Sequence, residues 1–487
     1  MTRTPDRRAG RRSPVMPPGA LPVLAALAAL AAPAALAPGC APAPRQGPGA
    51  PDVVLISLDT LRRDHVGAYR TKGSSFTPAL DRLAASSVVL EDAFVTVPFT
   101  LPSHLSMLTG LHPEAHGVWG ERARLSERAP TLAEILGARG YRTIGLVSID
   151  WLDAKFGFGR GFDHYERVRH DLTYSDRLNR RLFELLDRRR DGRPLFLFLH
   201  YFDPHSDFFE IERNRLPYYA RPDYLERIGV DPGTREFCTP GGECATDFLI
   251  AANRDRSPLA PAAMARIEAL YRGGVEYLDR DLGALFDGLE RRGLFERALI
   301  VITSDHGEEL REHGEFIHSQ PYVENMAVPL LIRLPGGEPG GTRRRGLADS
   351  ADLLPTVLDL AGVEVPSHVQ GRSLVPLIES GRPVRSWSLG RDKLIPTRYS
   401  LRTPQSTLIH DFETGESLLY DREADPRETA DLGAVHPERV AELLETLDRA
   451  LRRSRRLAPQ FPPDPLPESG ALTDEQVRRL RALGYLD

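Results

Sequence analysis

Cysteine is scarce in this sequence, and long tracts of like charge are absent. Three cysteines in 487 residues are too few for a scaffold built on disulfides. The 63 basic and 68 acidic side chains nearly cancel, which leaves a net charge of −5 and no overall basic field, so we expect no nucleic-acid partner. With 41% hydrophobic and 27% charged residues, the composition is that of a globular protein. It excludes collagen-like, fully disordered and polytopic membrane chains.

The longest apolar stretch lies close to the N-terminus. Five arginines among the first 20 residues precede an apolar run over residues 21–37, and this pattern predicts a secretory signal peptide over residues 1–39. The run is short for a membrane span and is interrupted by Pro33. Cys40 directly follows Ala37-Pro38-Gly39, which resembles the lipid-attachment site of bacterial lipoproteins. An ordinary signal peptide and a retained helical anchor are the alternatives.

Cleavage before Cys40 would leave an exported protein that touches the membrane only through a lipid on that cysteine. Residues 40–50, rich in proline, alanine and glycine, are then a lipidated tether. We therefore expect a periplasmic or cell-surface location. Cys238 and Cys244 would lie in an oxidising space, so a small disulfide loop is predicted there, with two free thiols as the alternative.

Short apolar runs alternate with helical patterns along the mature chain. Strands are predicted at residues 52–58, 143–148, 195–200, 299–303 and 329–333, and helices at 77–86, 130–139, 174–190 and 261–293. This alternation predicts an α/β fold with a doubly wound mixed sheet flanked by helices. Short strands and a helix at 436–453 predict a smaller C-terminal α+β subdomain. The catalytic domain is therefore predicted at 51–380, and the subdomain and tail at 381–487.

Several chemically capable side chains lie at or just after the predicted strands. In α/β sheets, functional sites lie at the carboxyl ends of strands. Asp59, His200 and Asp305 lie at such ends, and His306 directly follows Asp305. Two carboxylates and an imidazole suit one divalent metal ion. Eight of the 14 histidines fall in a few short segments around these positions: His104, His112, His116, His200, His205, His306, His313 and His318.

Four segments resemble the motifs of the sulfatase family, within the alkaline phosphatase superfamily. They are Leu58-Asp59-Thr60-Leu61-Arg62, Phe99-Thr100-Leu101-Pro102-Ser103-His104, Asp203-Pro204-His205 and Ser304-Asp305-His306-Gly307-Glu308. The resemblance continues through residues 352–362 and 419–429 to the closing Leu483-Gly484-Tyr485-Leu486, so it covers nearly the whole mature chain. It implies the fold of that superfamily and a hydrolase of sulfuric or phosphoric esters.

The resemblance also implies individual roles. The implied metal ligands are Asp59, Asp305, His306 and Thr100. Thr100 occupies the position of the nucleophile, and His205 matches a histidine that contacts the ester or its leaving group. His318 stands where many family members have a substrate-binding lysine.

Three positions depart from the family pattern. Thr100 replaces the cysteine or serine that is oxidised to formylglycine, and a threonine would give a ketone instead of that aldehyde. A threonine nucleophile favours phosphate esters, phosphodiesters in particular, over sulfate esters, because a phosphothreonine can be attacked at phosphorus by water. His104 replaces an arginine, and Thr60 replaces the second aspartate of the usual metal site. One carboxylate fewer favours zinc or manganese as the single divalent ion, with calcium still open.

The expected mechanism is attack by Thr100 on the phosphorus or sulfur of an anionic ester. His104, His205 and His318 would neutralise the ester oxygens. One of His200, His205 or His318, with a pKa near ~6.5, would protonate the leaving alcohol. The substrate would be a sulfated or phosphorylated glycan, lipid or small molecule, and long loops over residues 208–258 would roof the site. Two other functions stay open: a phosphoryl-alcohol transferase of the cell envelope, and a non-catalytic protein that binds anionic glycans.

Overall fold

A computed structural model describes residues 50–70, 75–168, 174–206, 215–242, 244–256 and 258–466. The predicted signal peptide, Cys40, the tether up to residue 49 and the closing motif at 483–486 lie outside the described residues. Within those ranges, no helix combines the length and the apolar character that crossing a membrane requires.

The described residues form an α/β architecture around one large sheet. Its strands, together with those of three smaller sheets, are β1 (Asp52–Leu58), β2 (Val88–Phe94), β3 (Ala123–Arg124), β4 (Arg142–Val147), β5 (His164–Arg167), β6 (Leu195–Tyr201), β7 (Ala298–Thr303), β8 (Glu309–Leu310), β9 (Phe316–Ile317), β10 (Leu330–Arg333), β11 (Thr342–Asp349), β12 (Ser388–Arg391), β13 (Arg398–Arg402), β14 (Ser406–Asp411), β15 (Ser417–Asp421) and β16 (Asp464–Pro465). The large sheet has the order β11-β2-β10-β7-β1-β6-β4-β5. Only β10 runs antiparallel to its neighbours, so the predicted mixed sheet is confirmed.

Helices cover both faces of this sheet. They are α1 (Pro78–Ala84), α2 (Thr100–Thr109), α3 (Pro113–His116), α4 (Leu132–Ala138), α5 (Tyr174–Arg188), α6 (Pro222–Ile228), α7 (Thr246–Asp255), α8 (Pro261–Glu290), α9 (Val323–Met326), α10 (Leu353–Leu360), α11 (Val375–Ser380) and α12 (Pro437–Leu457). The four helices predicted before residue 300 are present as α1, α4, α5 and α8, and the predicted C-terminal helix is α12.

The central strands are buried on both faces. β1 lies between β7 and β6 and runs parallel to both. Val53 and Leu55 contribute to one hydrophobic core, and Val54 and Ile56 contribute to the core on the other face. Burial on both faces explains why this strand is apolar at consecutive positions rather than alternate ones.

The five predicted strands are present as β1, β4, β6, β7 and β10, but the sequence pattern did not reveal the other three strands of the large sheet, β2, β5 and β11. β11 carries Arg343, Arg344 and Arg345 at the edge of the sheet, where Arg343 and Arg345 are exposed and pair with Glu91 of β2. Such an arginine-rich strand does not have the apolar run of a central strand, because an edge strand is only half covered.

The C-terminal region builds a second, smaller sheet. β12, β13, β14 and β15 form an antiparallel meander, and α12 packs on it through Leu443, Leu447 and Leu451. This is the predicted α+β subdomain.

The segment predicted as loops over residues 208–258 contains two helices. α6 begins at Pro222, and Gly229, directly after its last residue, adopts the left-handed conformation. Proline at the start and glycine after the end are usual at helix boundaries, yet a loop was predicted here. α7 follows the loop that the Cys238–Cys244 disulfide closes, and this predicted disulfide is confirmed. Residues 208–214, 243 and 257 of this segment lie outside the described residues.

Candidate active site

Three parallel strands deliver the first set of polar side chains to one edge of the large sheet. Ser57 of β1 is in register with His200 of β6 on one side and with Thr303 of β7 on the other. Asp59 therefore follows the end of β1 at the level where β6 ends and where Asp305 follows β7. These carboxyl ends meet at the same edge, as the sequence predicted.

Asp59, Asp305 and His306 form a buried cluster. Their candidate ligand atoms all lie within 4.8 Å of one another. His306 Nε2 is 3.3 Å from Asp305 Oδ2 and 3.9 Å from Asp59 Oδ1, and all three side chains are fully buried. The sequence predicted this set of three as metal ligands, and the fold brings them together.

The donor atoms of this cluster fit a divalent cation. Asp59 Oδ1 and Asp305 Oδ2 are buried and have no hydrogen-bond partner, which is costly for carboxylate oxygens without a cation. His306 Nδ1 lies 3.0 Å from the Gly307 carbonyl and donates to it, so Nε2 keeps the lone pair that a metal ligand needs.

Burial opposes the ionisation of both carboxyl groups. It raises the pKa of Asp59 well above its usual value, and the nearby positive charge of Lys393 lowers that pKa only in part. Burial, and then the negative charge of Asp59, raise the pKa of Asp305. A divalent cation between the two carboxylates would offset both effects, because it neutralises the repulsion and replaces the lost hydration.

Thr100 lies beside the cluster at the start of α2. Its Oγ1 is 3.4 Å from His306 Nε2, and the residue is fully buried. Ser103 Oγ donates a 2.7 Å hydrogen bond to the Asp305 carbonyl, which ties the first turn of α2 to the end of β7. The unpaired backbone N–H groups of a helix start also favour negative charge near Thr100. The fold thus places this hydroxyl next to the Asp–Asp–His cluster.

Thr60 occupies a strained position next to Asp59. Its φ angle is 56°, in the left-handed region that β-branched residues avoid, and its backbone N–H donates to Asp305 Oδ1 at 3.3 Å. Tyr271 OH donates to the Thr60 carbonyl at 2.7 Å. The Thr60 hydroxyl is buried and has no hydrogen-bond partner, so it is available to the same cluster.

His104 is hydrogen-bonded within the protein through both ring nitrogens. Its Nδ1 donates to the Thr100 carbonyl at 2.8 Å, and its Nε2 lies 2.8 Å from Ser57 Oγ and accepts from that hydroxyl. Both ring nitrogens are therefore engaged within the protein. This differs from the expectation that His104 neutralises ester oxygens.

His200 contacts a predicted metal ligand. Its Nε2 is 3.1 Å from Asp59 Oδ2 and donates to that carboxylate oxygen. The ring thereby orients Asp59, as residues behind a metal ligand commonly do.

His318 packs beside His306, and His205 packs against His318. The His318 ring is 4.2 Å from the His306 ring, and its Nδ1 is 2.8 Å from Glu308 Oε2. Tyr218 OH donates to Glu308 Oε1 at 2.7 Å, and burial raises the pKa of Glu308 to about 8. The His205 ring stacks on Phe202 and meets His318 edge to face.

Burial changes the acid–base properties of these imidazoles. It lowers the pKa of every ring in the site: His104, His200, His205, His306 and His318. The pKa falls to about 3 for His200 and His306. Burial thus disfavours the charged form of each ring, whereas the sequence suggested a histidine acid with an unperturbed pKa.

Sequence reasoning missed Lys393. This residue lies between β12 and β13 of the C-terminal sheet, yet its charge acts on Asp59, His205 and Glu308. Burial lowers its pKa to about 7. One signal was available, since only three of the 63 basic residues are lysines, but nothing in the sequence connects position 393 with the strand ends.

Comparison with solved structures finds proteins of the same fold. A protein solved in complex with its substrate D-glucosamine-2-N,6-O-disulfate superposes with a TM-score of 0.67 at 21% identity, over 84% of this chain and 99% of that chain. The phosphonate monoester hydrolase of Silicibacter pomeroyi has a TM-score of 0.64 at 22% identity, over 83% and 96% of the two chains. These likenesses show that the chain shares its fold with both proteins.

The sequence comparison names the family. Residues 51–363 match the family model described as Sulfatase, and residues 311–456 match the model described as N-sulphoglucosamine sulphohydrolase, C-terminal. An arylsulfatase of Clostridium perfringens is 24% identical over 468 residues, which span 82% of this chain and 93% of that protein. The first model covers more than half of the chain, and the protein therefore belongs to the sulfatase family.

Proposed function

We propose that the protein is an exported, metal-dependent hydrolase of anionic esters with Thr100 as its nucleophile, and that it prefers phosphodiesters to sulfate esters. The observation that carries this proposal is the position of Thr100 Oγ1, 3.4 Å from His306 Nε2 within the buried Asp–Asp–His cluster. A sulfatase fold with an intact cluster supports catalysis rather than binding alone.

The chain's own residues suit a two-step displacement. Asp59, Asp305 and His306 would hold a divalent cation, which would lower the pKa of the Thr100 hydroxyl and neutralise an ester oxygen. Thr100 Oγ loses its proton and bonds to phosphorus while the ester P–O bond breaks, and the alcohol leaves with a proton. Water then attacks the phosphorus, the Oγ–P bond breaks, and Thr100 regains its proton.

Other side chains in the site hold the reacting groups in position. His104 fixes the backbone of Thr100, and His200 orients Asp59. The hydrogen bond between His318 and Glu308 fixes that imidazole beside His306, where an ester oxygen would lie. All these side chains are buried, so their dipoles need little reorganisation during the reaction.

The chemistry of threonine is the reason to favour phosphorus over sulfur. A phosphothreonine can be resolved by water at phosphorus, whereas a sulfothreonine lacks the elimination route that an aldehyde hydrate provides. The structural neighbours include phosphonate monoester hydrolases as well as sulfatases. The names of the relatives leave the substrate class broad: a sulfated or phosphorylated glycan, lipid or small molecule.

Turnover of paired aryl esters tests this function. A phosphate diester, a phosphate monoester and a sulfate monoester are each assayed with calcium, manganese or zinc. Thr100→Ala should lower kcat/KM for the diester by at least about 10³-fold, because the attacking oxygen is gone, while Thr100→Ser should keep measurable activity. Sulfate release that exceeds diester cleavage would contradict the phosphodiester preference. Full activity in Thr100→Ala would contradict the nucleophile.

Export with a lipid on Cys40 is part of the proposal, and the Cys238–Cys244 disulfide supports an oxidising compartment. The full chain should fractionate with membranes and incorporate labelled fatty acid when it is expressed in a bacterium. Cys40→Ala should abolish the label. Unchanged labelling in that variant, or cytoplasmic retention of the full chain, would contradict the proposed anchor.

A further inference from the structure

Lys393 lies near the active site, and backbone hydrogen bonds hold its segment in place. Its backbone N–H donates to the Ser319 carbonyl at 2.9 Å, one residue after His318. The neighbouring Asp392 accepts backbone hydrogen bonds from Leu394 and Ile395, both at 2.7 Å. The connection between β12 and β13 is therefore anchored to the catalytic domain and has an internal turn that fixes its shape.

The ammonium group of Lys393 lies over the ring of the residue that precedes Thr100. Its Nζ is 5.4 Å from the ring centroid of Phe99, the residue directly before Thr100. The same charge acts on Asp59, on His205 and His318, and on Glu308. The ammonium thus lies among the groups that would surround an ester bound at Thr100.

The site otherwise has little positive charge for an anionic substrate. The arginine of the family motif is replaced by His104, and that ring is engaged with Thr100 and Ser57. The position of the substrate-binding lysine is occupied by His318, whose Nδ1 is engaged with Glu308 at 2.8 Å. A phosphate or sulfate ester brings negative oxygens into a buried space, where an unpaired charge is costly.

We propose that the Lys393 ammonium binds a non-bridging oxygen of the ester group attacked by Thr100, so that the C-terminal subdomain completes the active site. This inference rests on the proposed function. Lysine suits this place because its ammonium is compact and carries three donors on a flexible stem, whereas a guanidinium is a broad planar fork. The catalytic domain alone would hold the nucleophile and the metal ligands without the cation that neutralises the substrate.

Binding of inorganic phosphate to the metal-loaded protein tests this inference without turnover. Phosphate is titrated calorimetrically into the wild type, Lys393→Met and Lys393→Arg, and metal content and Tm are measured on the same samples. Lys393→Met should weaken phosphate binding by about 10- to 100-fold, because a charged hydrogen bond in a buried site is lost. Lys393→Arg should recover part of this loss.

Lys155→Met is the matched control. Lys155 is another partly buried lysine next to an aromatic ring, with Nζ 5.2 Å from the Phe156 centroid, but its charge partners are Asp153 and Glu121 rather than the active site. This variant should bind phosphate like the wild type. For substrate turnover, Lys393→Met should raise KM and lower kcat, whereas a merely structural role would lower the Tm instead.

Three results would overturn the inference. In the first, phosphate binds Lys393→Met as tightly as the wild type. In the second, Lys393→Met loses its metal together with phosphate binding, which would mean that Lys393 supports the metal ligands. The metal-loaded wild type could also fail to bind phosphate. Failure of the proposed function is distinguishable from these, since the wild type would then bind phosphate with the predicted dependence on Lys393 yet cleave none of the esters.

Discussion

Asp203 shows how strongly burial governs single residues in this protein. It begins the Asp-Pro-His motif, is fully buried and accepts a hydrogen bond from Ser175. Burial, and then the negative charge of Asp281, raise its pKa to about 7, although the Ser175 hydroxyl acts in the opposite direction. A carboxyl that prefers to be protonated makes the folded state sensitive to pH well above the usual range of aspartate.

Asp203→Asn should therefore change the pH dependence of stability. The pKa in the folded state exceeds the unfolded value near 3.8, so stability is complete below that value and decreases as pH rises through about 7. Relative to the wild type, the variant should gain about 2–3 kcal/mol in free energy of unfolding between pH 5 and pH 8. Urea unfolding at the two pH values measures this, with Asp287→Asn at a half-exposed site as control. An equal difference at both pH values would contradict the raised pKa.

At the scale of elements, the turn after β7 leaves no room for a larger side chain at Gly307. β7 leads into Asp305-His306-Gly307, and this turn packs directly against α9. Gly307 N–H donates to the Asn325 carbonyl at 2.7 Å, and a Cβ atom on Gly307 would lie 1.8 Å from the Glu324 carbonyl oxygen. The glycine is required here by close approach of two backbones rather than by its φ angle.

Gly307→Ala should move the turn and with it the His306 ring. We expect a loss of at least about 2 kcal/mol in free energy of unfolding, from overpacking against a rigid backbone, and a large loss of metal affinity. Thermal unfolding and metal content measure the two effects. Gly192→Ala is the control, since a Cβ there meets no atom within 4 Å. Equal behaviour of the two variants would contradict the steric argument.

At the scale of the whole molecule, the active site joins segments that are far apart in the chain. Thr100, Asp305 and Lys393 come from the start of a helix, the end of a central strand and a turn in the C-terminal sheet. A cation held by Asp59, Asp305 and His306 would therefore bind only to the folded protein, and its binding energy would add to the stability of the whole fold.

Removal of the metal should destabilise the protein and abolish ester cleavage. A chelator should lower the Tm by about 2–5 °C, because Asp59 and Asp305 then repel each other in a buried space. Manganese, zinc or calcium added back should restore the Tm, and the ion that restores it most identifies the preferred metal. In Asp305→Asn the chelator should have no effect. If the chelator left the wild-type Tm unchanged, the result would contradict the presence of a bound metal ion.

Helix and strand patterns anticipated much of the fold, because buried parallel strands such as β1 and β6 need apolar residues at consecutive positions. They also placed Asp59, His200 and Asp305 at strand ends, which a parallel sheet brings to one edge. β5 and β11 were not predicted, since they lie at the two edges of the sheet and lack the apolar run of a central strand. β2 was not predicted either, although its Val88, Val89 and Leu90 are buried.

The sequence by itself determined the family, the order of the central elements, and which residue types are available as ligands and nucleophile. Those properties follow from local patterns and short motifs. Only the tertiary structure decided that His104 and His200 hold neighbouring groups in place, and that Lys393 enters the site from another sheet. Hydrogen-bond partners and burial depend on which distant segments pack together, and no spacing along the chain encodes that contact.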